Sequence, residues 1–310
     1  MAQLRDPSTS ATPSISSSAP TLSSVALLEQ RPARQPSILS AIRRQRLALT
    51  GALIVTFFAM VALIGPEFAP HGPTEQFSAD RLQSPNSQYP LGTDEFGRDI
   101  FTRILYGARI SFQVGIIVVG ISGTVGVLLG MFAGYKGGYI DNIITLVSDV
   151  IFAFPAVLLA IAVITMLGNN LTNAILAISL VYIPPFIRIV RGSTLTVRNT
   201  AYVEAAQSVG VTLPRMMRRH IFPNITAPLI VQASISFAFA ILSEASLSFL
   251  GLGNKAPDPS WGTMVSGSYG FLQLAPWAAI IPGIAIALTV LGFNLLGDGL
   301  RDALDPRLRT

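Results

Sequence analysis

The chain contains 310 residues, of which 51% are hydrophobic and 12% are charged, whereas soluble domains carry about 25% charged residues. This composition indicates a polytopic membrane protein, and the absence of cysteine excludes disulfides, thiolate metal sites and cysteine nucleophiles. The net charge of +5 is interpreted through the position of basic residues relative to the membrane, so no nucleic-acid partner is expected. The two histidines, His71 and His220, are far apart in the sequence, and no metal site is predicted.

Residues 1–40 are rich in Ser and Pro and poor in apolar residues, a composition typical of disordered segments. We predict a disordered cytoplasmic tail, and a phosphorylated or partner-binding tail is the alternative. A cleaved signal peptide is not indicated, because the first apolar run begins near residue 47 and is longer than the apolar region of a signal peptide.

Six apolar runs approach or exceed the roughly 20 residues that a helix needs to cross a bilayer. They cover residues 47–64, 111–133, 140–167, 173–190, 225–249 and 277–296. The predicted fold class is therefore an all-α polytopic membrane protein with six transmembrane helices. Its regions are 41–110, with the first span, an outer loop and an amphipathic segment, then a five-helix core, 111–300, and a C-terminal tail, 301–310.

The orientation is predicted from the basic residues, which concentrate on the cytoplasmic side of membrane proteins. Five arginines precede the first span, namely Arg31, Arg34, Arg43, Arg44 and Arg46. An even number of spans then places both termini and the basic loop 191–223 in the cytoplasm. The outer loops also contain basic residues, so the rule is followed by a majority only. Trp261 and Trp277, near outer ends of spans, are predicted to be interfacial anchors.

The outer segment 97–109 places three arginines among Ile, Leu and Phe. We predict an amphipathic helix lying on the outer membrane surface.

The second span carries small residues at every fourth position, which draws a smooth stripe along a helix. The stripe consists of Ser122, Gly126, Gly130 and Gly134. It predicts close approach of another backbone, either within this chain or, as the sharper interpretation, from a second membrane subunit.

Two carboxylates, Asp149 and Glu244, lie inside predicted spans. Because a charge within the bilayer is costly, such a residue normally faces a cavity or a partner. Either they line a transport path or gate, or they form buried hydrogen bonds between helices. Pro155 and the Pro184-Pro185 pair either break helices beside such a path or kink them.

The basic loop between the fourth and fifth spans reads EAAQSVGVTLPRMMRRHIFPN over residues 204–224. Residues 200–209 predict a short helix that Gly210 ends, because glycine adopts the left-handed conformation without a Cβ clash. Thr212 is predicted to cap a second helix with Pro214 in its first turn. Neither helix is long enough to be stable alone, so the pair is predicted either to dock against another protein or to lie on the lipid headgroups.

This loop resembles the cytoplasmic EAA loop of ABC importer permeases, whose pattern is Glu-Ala-Ala, three residues, Gly, nine residues, Ile, one residue, Leu-Pro. The matching positions are Glu204, Ala205, Ala206, Gly210 and Pro223. His220 and Phe222 depart from the pattern, in the half that the family does not use for docking.

Four further stretches are similar to the C-type permease subunit of dipeptide, oligopeptide and nickel importers. They are YPLGTDEFGRDIFTRILYGARIS at 89–111, SDVIFAFP at 148–155, LSFLGLGNKAPDPSWG at 247–262 and GDGLRDALDPR at 297–307. They occur in the family's order, and the resemblance covers residues 41–309.

The resemblance implies a type I ABC importer permease fold in the bacterial inner membrane and a chain that forms half of a translocation path. The implied partners are a B-type permease subunit, two ATP-binding subunits that hold ATP and Mg, and an extracytoplasmic solute-binding protein. The chain itself is expected to be non-catalytic and without a cofactor, and it has no GxxxxGK[ST] phosphate loop. The residues implied to couple to the ATPase are Tyr202, Glu204, Ala205, Ala206, Gly210 and Arg215.

Two other functions remain to be weighed. An ion-coupled secondary transporter would use Asp149 and Glu244 as ion sites, although no clear inverted repeat is visible. An intramembrane enzyme would need a constellation such as HExxH or GxSxG, which the sequence lacks. Glu204 also has two interpretations: a docking charge for a partner, or an internal ion pair with Arg198, Arg215 or Arg218.

Overall fold

The computed structural model describes residues 45–255 and 257–304, and within these ranges the fold is helical without strands. The helices are α1 Arg46–Ile64, α2 Ile100–Lys136, α3 Gly138–Phe152, α4 Ala156–Leu167, α5 Leu171–Arg198, α6 Ala201–Ser208, α7 Leu213–Phe249, α8 Trp261–Ser268 and α9 Pro276–Leu304. Short 3-10 turns occur at Gly65–Phe68, Ser78–Asp80 and Tyr269–Phe271. The predicted tail 1–40 and most of the predicted tail 301–310 lie outside the described residues.

Five helices, α1, α2, α5, α7 and α9, are long and apolar enough to cross a membrane. The third predicted span is a broken pair, α3 and α4, bent by 92°. Pro155 occupies the N-cap position of α4, where its missing N–H costs no helical hydrogen bond. The six predicted spans are therefore confirmed as five continuous helices and one bent pair, whereas Pro184 and Pro185 lie within an α5 that continues through them.

The predicted amphipathic surface helix at 97–109 is wrong, because residues from Ile100 onward form the first turns of the 37-residue α2. Asp99 begins this helix by accepting hydrogen bonds from the backbone N–H groups of Phe101 and Thr102, as N-cap residues do. Arg103 is buried in this region rather than exposed at a membrane surface.

The stripe of small residues on α2 packs against α5 of the same chain. A Cβ at Gly126 would overlap Cβ of Phe186, and one at Gly134 would lie 2.8 Å from the carbonyl oxygen of Arg191. Gly130 makes the same close approach one turn away, and buried Ser122 bonds to its own helix through Oγ. The sharper interpretation, an interface with a second subunit, is therefore wrong for this stripe.

The outer half of the core is built around aromatic side chains from α2, α7 and α9. The rings of Phe237 and Phe293 stack with centroids 4.1 Å apart, and Phe112 packs against both. Trp261 is fully buried in the same cluster, and its Nε1 donates a hydrogen bond to the Ile104 carbonyl at 3.1 Å. The prediction that Trp261 is an interfacial anchor is therefore wrong, because this side chain holds α8 against α2.

Candidate functional site

The short helix α6 ends in a hydrogen-bonded glycine motif. Gly210 has a φ of +77°, its N–H donates to the Gln207 carbonyl at 2.9 Å, and the N–H of Val211 donates to the Ala206 carbonyl at 3.1 Å. These two bonds define a Schellman motif, in which the left-handed residue is usually glycine. The prediction that Gly210 ends the helix is confirmed.

The second helix of the loop begins at the predicted residues, but the predicted cap by the Thr212 side chain does not form. Thr212 occupies the N-cap with an extended backbone and Pro214 lies in the first turn, yet the Thr212 side chain forms no capping hydrogen bond. A π-helical segment, Met216–Ile221, follows within α7, and no feature of the sequence predicted it. Such segments are rare and are frequent at functional sites.

The loop is braced by its own chain. Val203 and Ala206 turn their side chains into a buried apolar cluster with residues of α2, α5 and α7. Its other buried members are Val127, Met131, Val190, Met216, Ile221 and Ile225. The prediction that the helix pair needs another protein or the lipid surface to be stable is therefore wrong, because adjoining ends of three membrane helices already cover its apolar face.

Two hydrogen bonds tie α6 to its neighbours. The Tyr202 hydroxyl donates to the His220 carbonyl at 3.3 Å, which joins α6 to the π-helical segment. Gln207 Nε2 donates to the Tyr135 hydroxyl at 3.3 Å, which joins α6 to the end of α2. Of the predicted coupling residues, Tyr202 is therefore partly engaged within the chain.

The opposite face of α6 is exposed. It presents Glu204 and Ala205, and Val209 next to them is 80% exposed. In the described part of the chain Glu204 forms no ion pair, so its predicted alternative partners, Arg198, Arg215 and Arg218, do not engage it. Arg215 and Gly210 are also exposed, whereas Ala206 is buried and therefore supports the helix rather than its outer surface.

Asp149 forms an exposed ion pair with Arg188 of α5. Arg188 Nη2 lies 3.1 Å from Asp149 Oδ1, and the two side chains are 60% and 54% exposed. The Arg188 guanidinium also lies over the ring of Phe152, 4.6 Å from its centroid. A single charged residue at the centre of a bilayer costs roughly 3 kcal/mol on insertion scales, and such residues usually face a cavity or a partner.

A second ion pair, which was not predicted from the sequence, joins the same two helices, α3 and α5. Arg191 donates from Nε to Asp141 Oδ1 at 2.5 Å and from Nη2 to Asp141 Oδ2 at 2.7 Å, a bidentate geometry typical of strong arginine–carboxylate pairs. Asp141 is buried and Arg191 partly so. Asp141 lies in the first turn of α3, after Gly137 and Gly138. This position at the start of a helix was the only feature of the sequence that could have indicated the ion pair.

Glu244 is buried, unlike Asp149. Its Oε1 accepts a hydrogen bond from Ser248 Oγ at 2.7 Å, and Ser248 Oγ in turn accepts one from the Asn254 backbone N–H at 3.3 Å. Glu244 is therefore buried and hydrogen-bonded, but the bond from Ser248 lies within α7 and continues to the following loop, rather than joining two helices as predicted. The two span carboxylates share no partner in the described ranges, so the structure does not assemble them into one ion site.

A charged cluster that was not predicted from the sequence holds the loop before α2. Arg98 pairs with Asp94 at 2.6 Å and with Glu95 at 3.4 Å, and Arg103 Nη1 donates to the carbonyls of Pro73 and Pro257. Burial raises the pKa of the Glu95 carboxyl above its ordinary value. A cavity of about 210 Å³ adjoins this cluster.

The same outer loop is anchored by Tyr89. Its hydroxyl donates to Asp80 Oδ2 at 2.9 Å, and the side chain is fully buried. Burial, reinforced by the hydrogen bond and the charge of Asp80, raises the pKa of Tyr89 to about 12. Across the described residues, no three His, Asp or Glu side chains are grouped so that they could hold a metal ion.

Comparison with known proteins identifies two matching families. A family described as "Binding-protein-dependent transport system inner membrane component" matches residues 126–310. A second, described as "N-terminal TM domain of oligopeptide transport permease C", matches residues 37–85.

Several full-length relatives are similar in sequence. The dipeptide transport system permease protein DppC of Alkalihalophilus pseudofirmus is 46% identical over 87% of this chain and 88% of its own length. The protein of the same name from Haemophilus influenzae is 44% identical over 86% of this chain and 92% of its own. The glutathione transport system permease protein GsiD of Pectobacterium atrosepticum is 44% identical over 86% of this chain and 89% of its own.

A solved structure shares the fold. The inward-facing MetNI methionine ABC transporter contains a chain that superposes with a TM-score of 0.54 at 16% identity, over 66% of this chain and 97% of that one. At this level of identity the likeness concerns the fold alone, and it confirms the predicted permease architecture.

Proposed function

This chain belongs to the family of binding-protein-dependent transport system inner membrane components, and from this premise we propose that its cytoplasmic loop transmits ATP-driven movement to the membrane helices. The chain is a non-catalytic, multi-pass permease subunit of an ABC importer in the inner membrane. The coupling surface consists of the exposed face of α6 and the start of α7. Its members are Tyr202, Glu204, Ala205, Gly210 and Arg215.

The observation that carries this proposal is the two-sided character of α6. One face is buried in the cluster with α2, α5 and α7, so a push on the loop reaches three membrane helices directly. On the other face Glu204 is exposed and has no ion-pair partner in the described ranges. A free carboxylate on a rigid support suits a basic group or a helix N-terminus of an ATP-binding subunit.

We expect Glu204→Arg to weaken the association with the ATP-binding subunits and to lower uptake about tenfold or more, because the new charge repels the basic group that Glu204 meets. Membrane insertion should be unaffected, since the side chain is exposed. The measurement is co-purification of the ATP-binding subunits from membranes, together with uptake of a radiolabelled dipeptide.

Glu67→Arg is the matched control, because Glu67 is also exposed but lies just beyond the far end of α1. It should leave both association and uptake unchanged. Normal uptake and full co-purification in Glu204→Arg would reject the coupling surface.

The remaining parts of the proposal concern assembly and substrate. The chain pairs with a B-type permease subunit, stands above two subunits that bind ATP and Mg, and receives peptides or similar small solutes from an extracytoplasmic binding protein. Both termini face the cytoplasm. Because relatives are named for dipeptides and for glutathione, ligand-binding measurements on the partner binding protein are the direct test of the substrate class.

A further inference from the structure

We propose that the Asp149–Arg188 pair lies on the wall of the aqueous translocation path and offers counter-charges to the carboxylate and ammonium groups of a passing zwitterionic solute. This inference rests on the proposed function, since it places the path of the importer on a particular surface of this chain.

The depth of the Asp149–Arg188 pair in the membrane is one reason to place it on the path. Asp149 lies about 16 Å along α3 from Gly138, and Arg188 lies about 15 Å along α5 from Arg198, at 1.5 Å per residue. Gly138 and Arg198 mark the cytoplasmic ends of these helices in the proposed orientation. Helix α5 is 28 residues long and therefore exceeds the hydrocarbon core of about 30 Å, so the pair lies in the cytoplasmic half of the membrane, where two half-exposed charges are unfavourable against lipid tails.

The polar atoms of the pair that lack hydrogen-bond partners distinguish an aqueous path from a dry contact with another subunit. The pair makes a single hydrogen bond, from Arg188 Nη2 to Asp149 Oδ1. Within the described residues the remaining guanidinium N–H groups and the second carboxylate oxygen have no partner. Burying them against an apolar surface would leave them unsatisfied, whereas water or a charged solute satisfies them.

The Asp149–Arg188 pair also differs from the neighbouring ion pair that joins the same two helices. Asp141 and Arg191 satisfy each other through two hydrogen bonds and are largely buried. That pair fastens α3 to α5. The Asp149–Arg188 pair repeats the charge pattern deeper in the membrane but keeps its polar atoms accessible, which suits an exchangeable contact rather than a fastening.

An exposed surface of α5 continues from the pair toward the cytoplasmic end of the helix. Gly192 and Thr196 follow Arg188 at intervals of four residues on α5, and all three are exposed. The opposite face of α5 is filled by the glycine stripe of α2. The row from Arg188 through Gly192 to Thr196 therefore leads toward the cytoplasmic end of α5 with small and polar side chains, as a route for a solute requires.

The test uses the absence of cysteine in the natural chain, which allows single cysteines to be introduced without other changes. Asp149→Cys and Arg188→Cys are placed in the complete transporter in lipid nanodiscs, where reagents reach both membrane faces. Each variant is treated with an anionic and a cationic methanethiosulfonate reagent. Asp302→Cys in the last turn of α9 is the reactive control, and Leu53→Cys on the exposed apolar face of α1 is the unreactive one.

Both path variants should react, with opposite preferences of about tenfold for reagent charge, because each leaves one charge of the pair behind. Asp149→Cys retains Arg188 and should prefer the anionic reagent, and Arg188→Cys should prefer the cationic one. A dipeptide delivered with its binding protein and ATP should slow both reactions. Should either variant fail to assemble, Gly192→Cys probes the same face, because a Cβ at this position meets no atom within 4 Å.

Cysteines at 149, 188 and 192 that stay unreactive while Asp302→Cys reacts would overturn the inference, and so would reaction at equal rates with both reagents. Co-purification of the ATP-binding subunits is measured with the unaltered chain. If they co-purify while the path cysteines stay unreactive, the location of the path is wrong and the proposed function stands. If they do not co-purify, the proposed function itself fails.

Discussion

Single small residues determine how closely the two best-packed membrane helices approach. Gly126→Ala should destabilise the protein by about 1–3 kcal/mol, because the new Cβ would overlap Phe186 in a packed interface. Gly120→Ala on the same helix is the control, since a Cβ there meets no atom within 4 Å. It should be neutral or stabilising by about 0.5–1 kcal/mol, because alanine is favoured over glycine inside helices.

Thermal unfolding of the purified chain, followed by intrinsic fluorescence, measures the difference between the two variants. Equal melting temperatures for Gly126→Ala and Gly120→Ala would contradict the close contact between α2 and α5.

A buried tyrosine gives the outer loop a dependence on alkaline pH. The pKa of Tyr89 is raised from 10.0 to about 12, so above pH 10 the unfolded state loses this proton while the folded state retains it. The contribution of Tyr89 to stability is therefore complete below pH 10 and is lost as the pH rises toward about 12. Tyr89→Phe removes this part of the pH dependence.

Tyr89→Phe should also cost about 1 kcal/mol at neutral pH, because the hydrogen bond to Asp80 is lost. Denaturant unfolding at pH 8 and at pH 11 measures both effects. A variant whose stability falls between these values as steeply as that of the natural chain would show that Tyr89 does not carry the dependence.

Among the elements, α6 depends on the left-handed residue that follows it. Gly210→Ala should destabilise the end of α6 by roughly 1–2 kcal/mol, because an L-residue pays this cost in a left-handed conformation. The cost is purely one of backbone conformation, since a Cβ at this position meets no atom within 4 Å. Hydrogen exchange in residues 201–208 should become faster, and co-purification of the ATP-binding subunits should fall.

The comparison for this variant is Gly192→Ala, where a Cβ is equally free but the residue lies inside helix α5. It should leave exchange in α6 unchanged. Gly210→Asn should lie between the two, because asparagine tolerates the left-handed region better than alanine does. Unaltered exchange in Gly210→Ala would mean that the glycine motif does not hold the loop.

The sequence predicted these elements wherever the signal was local. Apolar runs located the membrane segments because composition alone decides whether a helix tolerates lipid, and Gly210 marked the end of α6 because few residues adopt its backbone conformation. A break or kink at Pro155 was predicted, but its size of 92° was not, because the run 140–167 is apolar on both sides of it. Hydropathy describes the composition of a segment and does not indicate whether the helix changes direction within it.

The errors at the candidate site arose from contacts between residues distant in sequence. The loop was predicted to need an external support, yet Val203 packs in a cluster with Val127 of α2, a contact that no periodicity indicates. Trp261 was assigned to the membrane surface from its position beside a span, and Arg103 to an amphipathic face. Trp261 is buried against helices α1 and α2, and Arg103 is held by the loops that contain Pro73 and Pro257.

For the whole molecule, the proposed orientation can be tested with single cysteines near opposite ends. Glu67→Cys and Asp302→Cys both replace exposed acidic residues, one after α1 and one in the last turn of α9. In intact cells a membrane-impermeant maleimide should label Glu67→Cys and should label Asp302→Cys only after permeabilisation. The reversed pattern would invert the topology and place the coupling loop outside the cell.

The apolar cluster beneath α6 determines how a stroke at the cytoplasmic surface travels. Because Val203 and Ala206 are wedged among the ends of α2, α5 and α7, and because α2 and α5 interlock along the glycine stripe, these helices cannot slide past one another independently. In the proposed coupling, a displacement of the loop would therefore tilt these helices together. The Asp149–Arg188 pair lies on α5, so it would move with the loop whenever the ATP-binding subunits move.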